Sequence, residues 1–374
     1  MKNKLLSAIL SVCMLFSLCA CGGTEETNSE QRHERETAYC DGMEVHFIDV
    51  GQGDSALVLC GKESMLIDGG KPYASDIIYT YLKNLGVEEL DYVVCSHADE
   101  DHIGGLAAPL STMKVHNVLM PETGSDANVY QTLMKKISEQ KITPKHPKAG
   151  SKMKFADGTA EFFGPVSENG DKNNSSIVMK IIYGDTSFLF TGDAEREEER
   201  EILDKGYDLS ATVLKVGHHG SKNSTTYPFL REIMPKYAVI SVGKDNSYGH
   251  PTEETLSRLR DADVKVYRTD MQGDIIMKSD GKHVSVSTKR NENAEVNPTV
   301  KPQITPSPVS AETSDIKNTT DSAVTYIANR NSKKFHRPSC ESAKKTSESN
   351  KVSLNCSRDE AIAAGYQPCK KCNP

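Results

Sequence analysis

One short stretch, residues 96–105, constrains this chain more than any other. It reads Ser-His-Ala-Asp-Glu-Asp-His-Ile-Gly-Gly and holds four potential metal ligands, His97, Asp99, Asp101 and His102. A β-like run at 90–95 precedes it and a helix-like run at 103–110 follows it, which predicts a strand-to-helix loop. Imidazoles and carboxylates at alternating positions of such a loop can turn toward one cation, which a regular strand or helix does not allow.

The plain alternative for this stretch is a polar, solvated loop in which Asp101 caps the helix that follows. The density of ligands argues against that interpretation, because isolated Asp and His residues, rather than clusters of them, are typical of such loops. Gly104 and Gly105 would let the following helix pack close beneath the loop. We therefore treat the stretch as a predicted metal site.

The stretch resembles the HxHxDH signature of the metallo-β-lactamase superfamily, with Asp99 in place of the second His. In this form, followed by Gly-Gly, it resembles the hydrolase domain of ComEC-type competence proteins and their stand-alone relatives. Three other phrases strengthen the resemblance: FIDVGQGDS at 47–55, HHGS at 218–221 and YGHP at 248–251. The resemblance implies a four-layer αββα sandwich, and strand-like and helix-like stretches alternate along the chain as in α/β proteins.

The resemblance also implies a ligand set for one or two divalent ions, zinc or manganese. The FTGD phrase ends at Asp193, whose counterpart bridges two metals in the family, and of His218 and His219 we favour His219 as the final ligand. The predicted ligands are therefore His97, Asp99, Asp101, His102, Asp193 and His219. The third-motif His of the family is missing, with Asn173 or Asn174 nearby. Because an amide oxygen is a weak ligand, we expect either one tight and one looser ion or competition of a harder metal such as manganese with zinc.

Three further residues are assigned to the reaction itself. His218 and His250 are candidates for binding a scissile phosphate or protonating a leaving group, and their roles could be exchanged with that of His219. Asp68, which follows a strand-like run, is expected to support a ligating imidazole. The alternatives are a core or capping role for any of these histidines and a turn role for Asp68.

Two secondary-structure predictions bear on the site. A hairpin with a turn at Gly184-Asp185 is expected to deliver Asp193 to the end of its second strand. The strongly charged stretch 195–205 predicts a helix whose charged residues form a solvated face without a functional role.

The amino-terminal residues predict export and a lipid anchor. A basic start is followed by an apolar run at 5–18 that is too short to span a membrane, as in a secretion signal. The sequence at 18–22, Leu-Cys-Ala-Cys-Gly, resembles a bacterial lipobox with Cys21 as the lipidated residue. We therefore expect an extracytoplasmic protein anchored to the bacterial membrane through Cys21. The alternative is an ordinary secreted protein with a cysteine near its cleavage site.

The carboxy-terminal residues form a second candidate metal site. The pattern H-x3-C…C-x2-C is made by His336, Cys340, Cys369 and Cys372, a spacing that suits tetrahedral zinc. A piece of about 50 residues often needs such a structural ion. It resembles the metal-binding domain of the Ada DNA-repair protein, which has Cys where this chain has His336. Disulfides among these cysteines and Cys356 are the competing interpretation for an exported protein.

Composition divides the chain into segments of different character. We predict a signal peptide at 1–21, a flexible tether at 22–42, a hydrolase domain at 43–290, a Pro/Ser/Thr-rich linker at 291–322 and an α+β module at 323–374. The last segment carries ten Lys and Arg against four Asp and Glu, and the rest carries 35 against 48. Such a basic module is a plausible nucleic-acid handle, although its lysines could equally serve solubility or contact anionic wall polymer.

Three functional classes follow from these features. The first is an extracytoplasmic metal-dependent phosphodiester hydrolase acting on DNA, in competence or in scavenging, with the DNA-uptake machinery as a further partner. The second is a surface phosphoester hydrolase of wall polymers, such as a phosphorylcholine esterase. The third is a non-catalytic surface DNA-binding lipoprotein. A true β-lactamase is disfavoured by Asp99 and the competence-type phrases, and fold alone does not decide between substrates.

Overall fold

The structure is a computed structural model that describes most of the chain after residue 38. The described residues are 39–167, 170–298, 325–329, 332–338, 340–345, 350–355, 358–363, 366–369 and 371–372. The chain divides between residues 300 and 301 into two compact units. The predicted signal peptide, Cys21 and most of the tether and linker lie outside the described residues.

Strands and helices alternate through the larger unit. Its strands are β1 Met43–Phe47, β2 Ala56–Cys60, β3 Glu63–Ile67, β4 Glu89–Val94, β5 Lys114–Leu119, β6 Lys152–Phe155, β7 Gly158–Gly164, β8 Val178–Tyr183, β9 Thr186–Phe190, β10 Val213–Lys215, β11 Tyr237–Ile240, β12 Lys265–Arg268, β13 Ile275–Ser279 and β14 Val284–Thr288. Its helices are α1 Ser75–Asn84, α2 Glu100–Ile103, α3 Ala107–Thr112, α4 Asn128–Glu139, α5 Arg196–Asp204, α6 Tyr227–Ile233, α7 Glu253–Asp261 and α8 Thr269–Gln272.

The strands form two seven-stranded sheets. The first has the order β14-β13-β1-β2-β3-β4-β5 and is antiparallel up to β3 and parallel from β3 to β5. The second has the order β12-β11-β10-β9-β8-β7-β6, parallel from β12 to β9 and antiparallel beyond. The predicted hairpin is confirmed: β8 pairs with β9 around Gly184, whose φ of +57° suits a residue without a side chain.

Three buried clusters give the unit its layers. The central cluster joins side chains of both sheets, among them Phe47, Met65 and Phe188. A second cluster packs α1, α3 and α4 onto the outer face of the first sheet, and a third packs α5, α6 and α7 onto the second. Two sheets packed face to face between two layers of helices are the four-layer αββα sandwich that was predicted.

The helix after the predicted metal loop is broken into short pieces. Instead of one helix over 103–110, α2 is followed by a 3-10 turn at Gly104–Leu106 and then by α3. The short pieces pack closely against the loop after β3. A Cβ on Gly105 would lie 1.9 Å from the carbonyl oxygen of Gly69. Only glycine allows this approach, which brings the metal loop against the end of β3.

The prediction that α5 presents only a solvated charged face is wrong. Glu198 and Glu199 are buried. Glu199 accepts hydrogen bonds from the backbone N–H groups of Thr225 and Thr226, which precede α6. Helix periodicity shows which residues share a face but not which face packs, so the sequence alone did not reveal these buried carboxylates.

The edges of the larger unit extend beyond the predicted boundaries. At its start, the backbone N–H of Tyr39 bonds to the carbonyl oxygen of Gly61. At its end, Val296 is buried in the third cluster and Asn297 receives a hydrogen bond from Arg260. The described part of the predicted linker, 291–298, therefore packs onto this unit.

The smaller unit is built on a four-stranded sheet. Its strands are β15 Thr325–Asn329, β16 Lys334–His336, β17 Lys351–Asn355 and β18 Gln367–Pro368, and its helices are α9 Glu341–Lys344 and α10 Arg358–Ala363. The strand order is β17-β15-β16-β18. The larger of its two small apolar clusters is formed by Tyr326, Ala328, Phe335 and Ala361. Across the described parts of the chain, no helix is both long enough and apolar enough to cross a membrane.

Candidate metal centres

The strand-to-helix loop supplies the first group of side chains in the larger unit. His97 and His102 are buried, with ring centroids 4.1 Å apart. Asp99 stands at the start of α2, where its carbonyl oxygen accepts from the N–H of His102. The first turn of this helix places Asp101 and His102 beside each other at the carboxyl end of β4, where the loops of neighbouring parallel strands converge.

Two more elements bring ligands to the same edge. Asp193 follows β9, and its N–H donates to Ser176 Oγ at 3.0 Å. His218 and His219 follow β10 with φ of 49° and 52°, a left-handed backbone that non-glycine residues seldom adopt. Such conformations cluster at functional sites because the surrounding structure has to hold them. Here the turn aims His219 into the site and leaves His218 at its rim.

The two buried imidazoles His102 and His219 are oriented to bind a cation. Nδ1 of His102 lies 2.9 Å from Asp68 Oδ2, and Nδ1 of His219 lies 3.0 Å from the carbonyl oxygen of Ser241. Because these oxygens accept the Nδ1 protons, each neutral ring presents its Nε2 lone pair to the site. His102 Nε2 lies 3.2 Å from Asp193 Oδ1, and His219 Nε2 lies 3.6 Å from an oxygen of Asp193.

The ligand atoms of one group converge closely. Asp54, His102, Asp193 and His219 each offer one atom, and these atoms lie within 4.8 Å of one another. Asp101 Oδ2 is 3.6 Å from His219 Nε2 and borders the group. Four buried atoms of the group, both Nε2 nitrogens, Asp193 Oδ1 and Asp54 Oδ1, have no hydrogen-bond partner among the described residues. Buried polar atoms without a partner destabilise the folded state, and a divalent cation bound by these nitrogens and oxygens would remove that cost.

The carboxylates of the group also favour positive charge at the site. Although burial disfavours the charged ring, Asp193 and Asp54 raise the pKa of His219 to about 9. Burial also disfavours the charged form of His102. The negative charges of Asp193 and Asp68 outweigh this effect and raise the pKa of His102 well above its ordinary value. A bound cation would compete with these protons, so we expect metal affinity to depend on pH.

Asp54 was not predicted from the sequence as a site residue. It lies in the FIDVGQGDS turn between β1 and β2, buried beside the site. Its Oδ2 is 2.7 Å from the Nζ of Lys215, and its Oδ1 is 3.1 Å from Nδ1 of His219. Asp54 therefore lies on the far side of the His219 ring from Nε2, where it orients the ring while Lys215 balances its charge. The only sequence signal was the polar Gly-Asp-Ser end of an otherwise apolar run.

Asp68 lies behind the ligands rather than in the open part of the site. Its Oδ1 accepts from the N–H of Ser96 at 2.7 Å, and its Oδ2 faces Nδ1 of His102. The carboxylate is almost wholly buried, and its φ is 58°. This position suits the supporting role that was expected for it and leaves no room for contact with a substrate.

His97 and Asp99 are not members of the converging group, although the ring of His97 lies against that of His102 and its buried Nε2 has no hydrogen-bond partner among the described residues. His97 Nε2 is 3.8 Å from Asp99 Oδ2, and Asp99 forms an ion pair with Lys172. Asn174, one of the two amides considered as a weak ligand, accepts the N–H of Glu195 at 3.0 Å instead. A second ion held by His97 and Asp99 would therefore have the ammonium group of Lys172 beside it.

His218 and His250 line the open side of the site. His218 Nδ1 lies 3.1 Å from Glu195 Oε1, and its Nε2 lies 3.5 Å from Asp193 Oδ2. The ring of His250 is 5.6 Å from that of His218. Burial and the neighbouring His218 lower the pKa of His250 to about 4, and within the described part of the chain its Nδ1 has no hydrogen-bond partner. Both rings are within reach of a group bound to the cation.

The smaller unit brings its four predicted ligands together. One atom each from His336, Cys340, Cys369 and Cys372 lies within 4.8 Å of the others. His336 Nδ1 and Cys340 Sγ are 3.7 Å apart. All three of these cysteines are free thiols, and Cys356 lies outside the described residues. Three thiolates and one imidazole are a donor set that binds zinc tetrahedrally.

Comparison with known proteins agrees with both sites. Residues 48–244 match the family described as "Metallo-beta-lactamase superfamily", and residues 315–374 match "Metal binding domain of Ada". The chain is 34% identical over 251 residues to ComE operon protein 3 of Bacillus subtilis, covering 62% of this chain and 32% of that protein. It is 34% identical over 232 residues to competence protein ComA of Neisseria gonorrhoeae, covering 60% of this chain and 30% of that protein.

The chain thus spans about a third of the length of these competence relatives. Among solved structures, the metallo-beta-lactamase fold protein YhfI from Bacillus subtilis is 16% identical, with a TM-score of 0.42, over 61% of this chain and 97% of that one. The family match covers more than half of this chain, and its range contains the whole of the converging ligand group. The chain therefore belongs to the metallo-β-lactamase superfamily of metal-dependent hydrolases and carries an Ada-type metal-binding domain at its carboxy-terminal end.

Proposed function

We propose that this protein is a metal-dependent phosphodiester hydrolase that acts on DNA outside the cytoplasm. The observation that carries the proposal is the group of His102, Asp193 and His219, whose unpaired buried atoms converge on one point. The names of two relatives, a competence protein and a ComE operon protein, favour DNA as the substrate. Competence is the uptake of DNA, in which cleavage of a phosphodiester backbone has an evident use.

The chemistry follows from the donors around the group. A divalent cation bound there would polarise a phosphoryl oxygen and lower the pKa of a water molecule. Asp193 and Asp101 add negative charge that would hold the cation while an anionic substrate is bound. Asp68 and the carbonyl oxygen of Ser241 keep the two imidazoles in the tautomer that binds metal.

The open side of the site supplies the groups that would meet the substrate. Glu195 faces Nδ1 of His218 and thereby directs Nε2 toward Asp193 and the reaction centre. From there His218 can donate to a phosphoryl oxygen or exchange a proton with a leaving group. Lys172, half exposed beside Asp99, adds a positive charge at the same rim. Together these residues suit a phosphate group better than a neutral ester.

The test is hydrolysis by the chain from residue 22 onward, with manganese or zinc and with a chelator. The substrates are single-stranded DNA, double-stranded DNA, bis-p-nitrophenyl phosphate and p-nitrophenylphosphorylcholine. We expect metal-dependent cleavage of DNA, abolished by Asp193→Asn and retained by Asp280→Asn, whose carboxylate is exposed. If the phosphorylcholine ester is the sole substrate hydrolysed, the result would favour a wall polymer over DNA as the natural substrate. Inactivity on every substrate would favour a DNA-binding protein without catalysis.

The basic carboxy-terminal module is proposed as a handle for the same polymer. Residues 323–374 carry a surplus of six positive charges, whereas the rest of the chain is strongly acidic. Phosphate contacts from Lys and Arg give affinity that falls steeply with salt. Removing this segment should therefore weaken DNA binding most at low salt and spare turnover of bis-p-nitrophenyl phosphate. Unchanged DNA affinity, or affinity only for anionic wall polymer, would contradict this role.

The location of the protein is proposed from its first residues. A signal at 1–21 and lipidation of Cys21 would hold the hydrolase at the outer face of the membrane, where incoming DNA and the uptake machinery meet. Fractionation of cells that express the natural chain or Cys21→Ala tests this expectation. Loss of membrane association in the variant would support the anchor, and equal association would contradict it.

A further inference from the structure

An exposed aromatic ring stands next to the reaction centre and has no role in the fold described so far. Tyr248 lies in the YGHP loop after β11, and 57% of it is exposed. Its ring stacks on that of His250, with centroids 5.8 Å apart and planes 24° from parallel. His250 in turn lies 5.6 Å from His218, which faces Asp193. A continuous row of rings therefore runs from the metal group out to solvent.

The loop that carries this ring is held in place by one side chain. The Oδ1 of Asn246 accepts from the N–H groups of Tyr248 and His250, at 3.1 and 3.0 Å. Its Nδ2 donates to the carbonyl oxygens of Gly243 and His250. Four hydrogen bonds from a single amide fix the loop before any substrate arrives. An exposed ring fixed in this way loses little conformational freedom when a ligand stacks on it.

Positive charge accompanies the ring. The Nζ of Lys71 lies 5.9 Å from the centroid of Tyr248, and the same loop carries the exposed Lys244 next to the exposed Asp245. The chain before residue 323 has a large negative surplus, so these cations stand out at the edge of the site. Aromatic rings interleaved with lysines are the pattern by which proteins hold unpaired nucleotides, with bases stacked on rings and phosphates next to ammonium groups.

We propose that Tyr248 is the stacking platform for the nucleobase adjoining the scissile phosphate, so that the site takes an unpaired nucleotide. This inference rests on the proposed function and names the form of its substrate. A base inside a duplex has both faces covered by its neighbours, whereas a base in a single strand or at a frayed end can place a face on Tyr248. The ammonium group of Lys71, which lies over the ring of Tyr248, would then move aside to pair with a phosphate next to that base.

The test compares Tyr248→Ala and Tyr248→Phe with the natural chain on two oligomers of equal length. One is oligothymidylate, and the other has the same backbone with every base removed. Alanine should raise KM on oligothymidylate by about 5- to 100-fold, which corresponds to the usual strength of one base-to-ring stack. Phenylalanine should stay within about threefold of the natural chain, because it keeps the stacking face. On the abasic oligomer the alanine variant should lose little, since there is no base to stack.

Two controls keep the outcomes separate. Tyr227→Ala removes a similarly exposed tyrosine, one bonded to Asp261 on α7, and should leave both substrates unaffected. Bis-p-nitrophenyl phosphate reports whether the reaction centre works at all. If that ester and DNA are cleaved but Tyr248→Ala leaves KM unchanged, or weakens both oligomers equally, the stacking role is wrong while the proposed function stands. If the natural chain cleaves no phosphodiester with any metal, both proposals fall.

Discussion

His102 and Asp68 form the pair on which the larger metal site depends. Nδ1 of His102 lies 2.9 Å from Oδ2 of Asp68, and both side chains are buried. The carboxylate therefore fixes the tautomer that leaves Nε2 bare toward the metal position.

Replacing Asp68 with Asn should lower metal affinity without unfolding the protein. An amide is neutral and can face His102 with either its oxygen or its NH₂ group, so the ring is held less firmly. Losses of about 10- to 100-fold are typical when such a supporting carboxylate is changed. Competition against a fluorescent chelator measures the affinity, and Asp280→Asn serves as the control. An Asp68→Asn variant that binds metal as tightly as the natural chain would show that this pair is structural only.

The number of bound ions is the second prediction. His97 and Asp99 are not members of the converging group, and Asp99 is already paired with Lys172. We therefore expect about one tightly held ion in the larger unit and about one in the smaller, hence about two zinc ions per chain.

Metal analysis after gel filtration, with elemental mass spectrometry, checks this number. Asp193→Asn should reduce the zinc content to about one ion per chain, because it removes a member of the converging group. Asp99→Asn should leave it near two. A natural chain with about three ions, reduced by one in Asp99→Asn, would mean that His97 and Asp99 hold a second ion firmly in spite of Lys172.

The sequence revealed the part of this site that is contiguous along the chain. His97, Asp99, Asp101 and His102 stand out because they fall within one loop, and such a cluster has few structural explanations. Asp54 did not stand out, because its partner Lys215 lies on a distant strand and the pairing depends on how two sheets meet. The α/β layers were predictable because each strand or helix carries its own apolar pattern within a short segment of sequence.

The sequence did not predict the burial and pairing of side chains whose positions depend on packing between helices and loops. Glu198 was predicted to be solvated, yet its Oε1 accepts the N–H of Val166 at 2.8 Å within the protein. Lys172 gave no signal either, because its contact with Asp99 joins two loops that follow different strands. Such pairings are properties of the assembled fold and leave no periodic trace in the sequence.

The stability of the larger unit should depend on pH through Glu198. Burial raises its pKa from 4.5 to about 7. Between these values the folded state binds the proton and the unfolded state does not, so stability falls as pH rises toward 7 and then levels off. The contribution is of the order of 1–3 kcal/mol.

Denaturant unfolding of the metal-loaded chain between pH 5 and pH 8 measures this dependence. Glu198→Gln should make the profile shallower, because the amide is neutral at every pH and can still accept from Val166. Part of the slope should remain, since burial also raises the pKa of the neighbouring Glu199 to about 7. Glu197→Gln changes an exposed neighbour on the same helix and should leave the profile as it is. A Glu198→Gln profile as steep as that of the natural chain would assign the dependence to other groups.

The smaller unit should lose its structure when its metal is removed. Among the described residues, its larger apolar cluster contains four buried side chains, Tyr326, Ala328, Phe335 and Ala361, and so small a cluster offsets little of the entropy of ordering a segment of this size. Four ligands held within 4.8 Å of one another supply the missing stabilisation if zinc binds them.

Alkylation of the native full chain, followed by peptide mass spectrometry, tests this dependence. With zinc bound, Cys340, Cys369 and Cys372 should react slowly, because thiolates that ligate a metal are shielded. A chelator should make them react at least about tenfold faster, as metal-dependent domains of this kind unfold without their ion. The buried thiols Cys60 and Cys95 of the larger unit are internal controls and should stay slow throughout. If the unreduced chain yields peptides joined by disulfides, the prediction is wrong, because covalent cross-links and not zinc would stabilise the smaller unit.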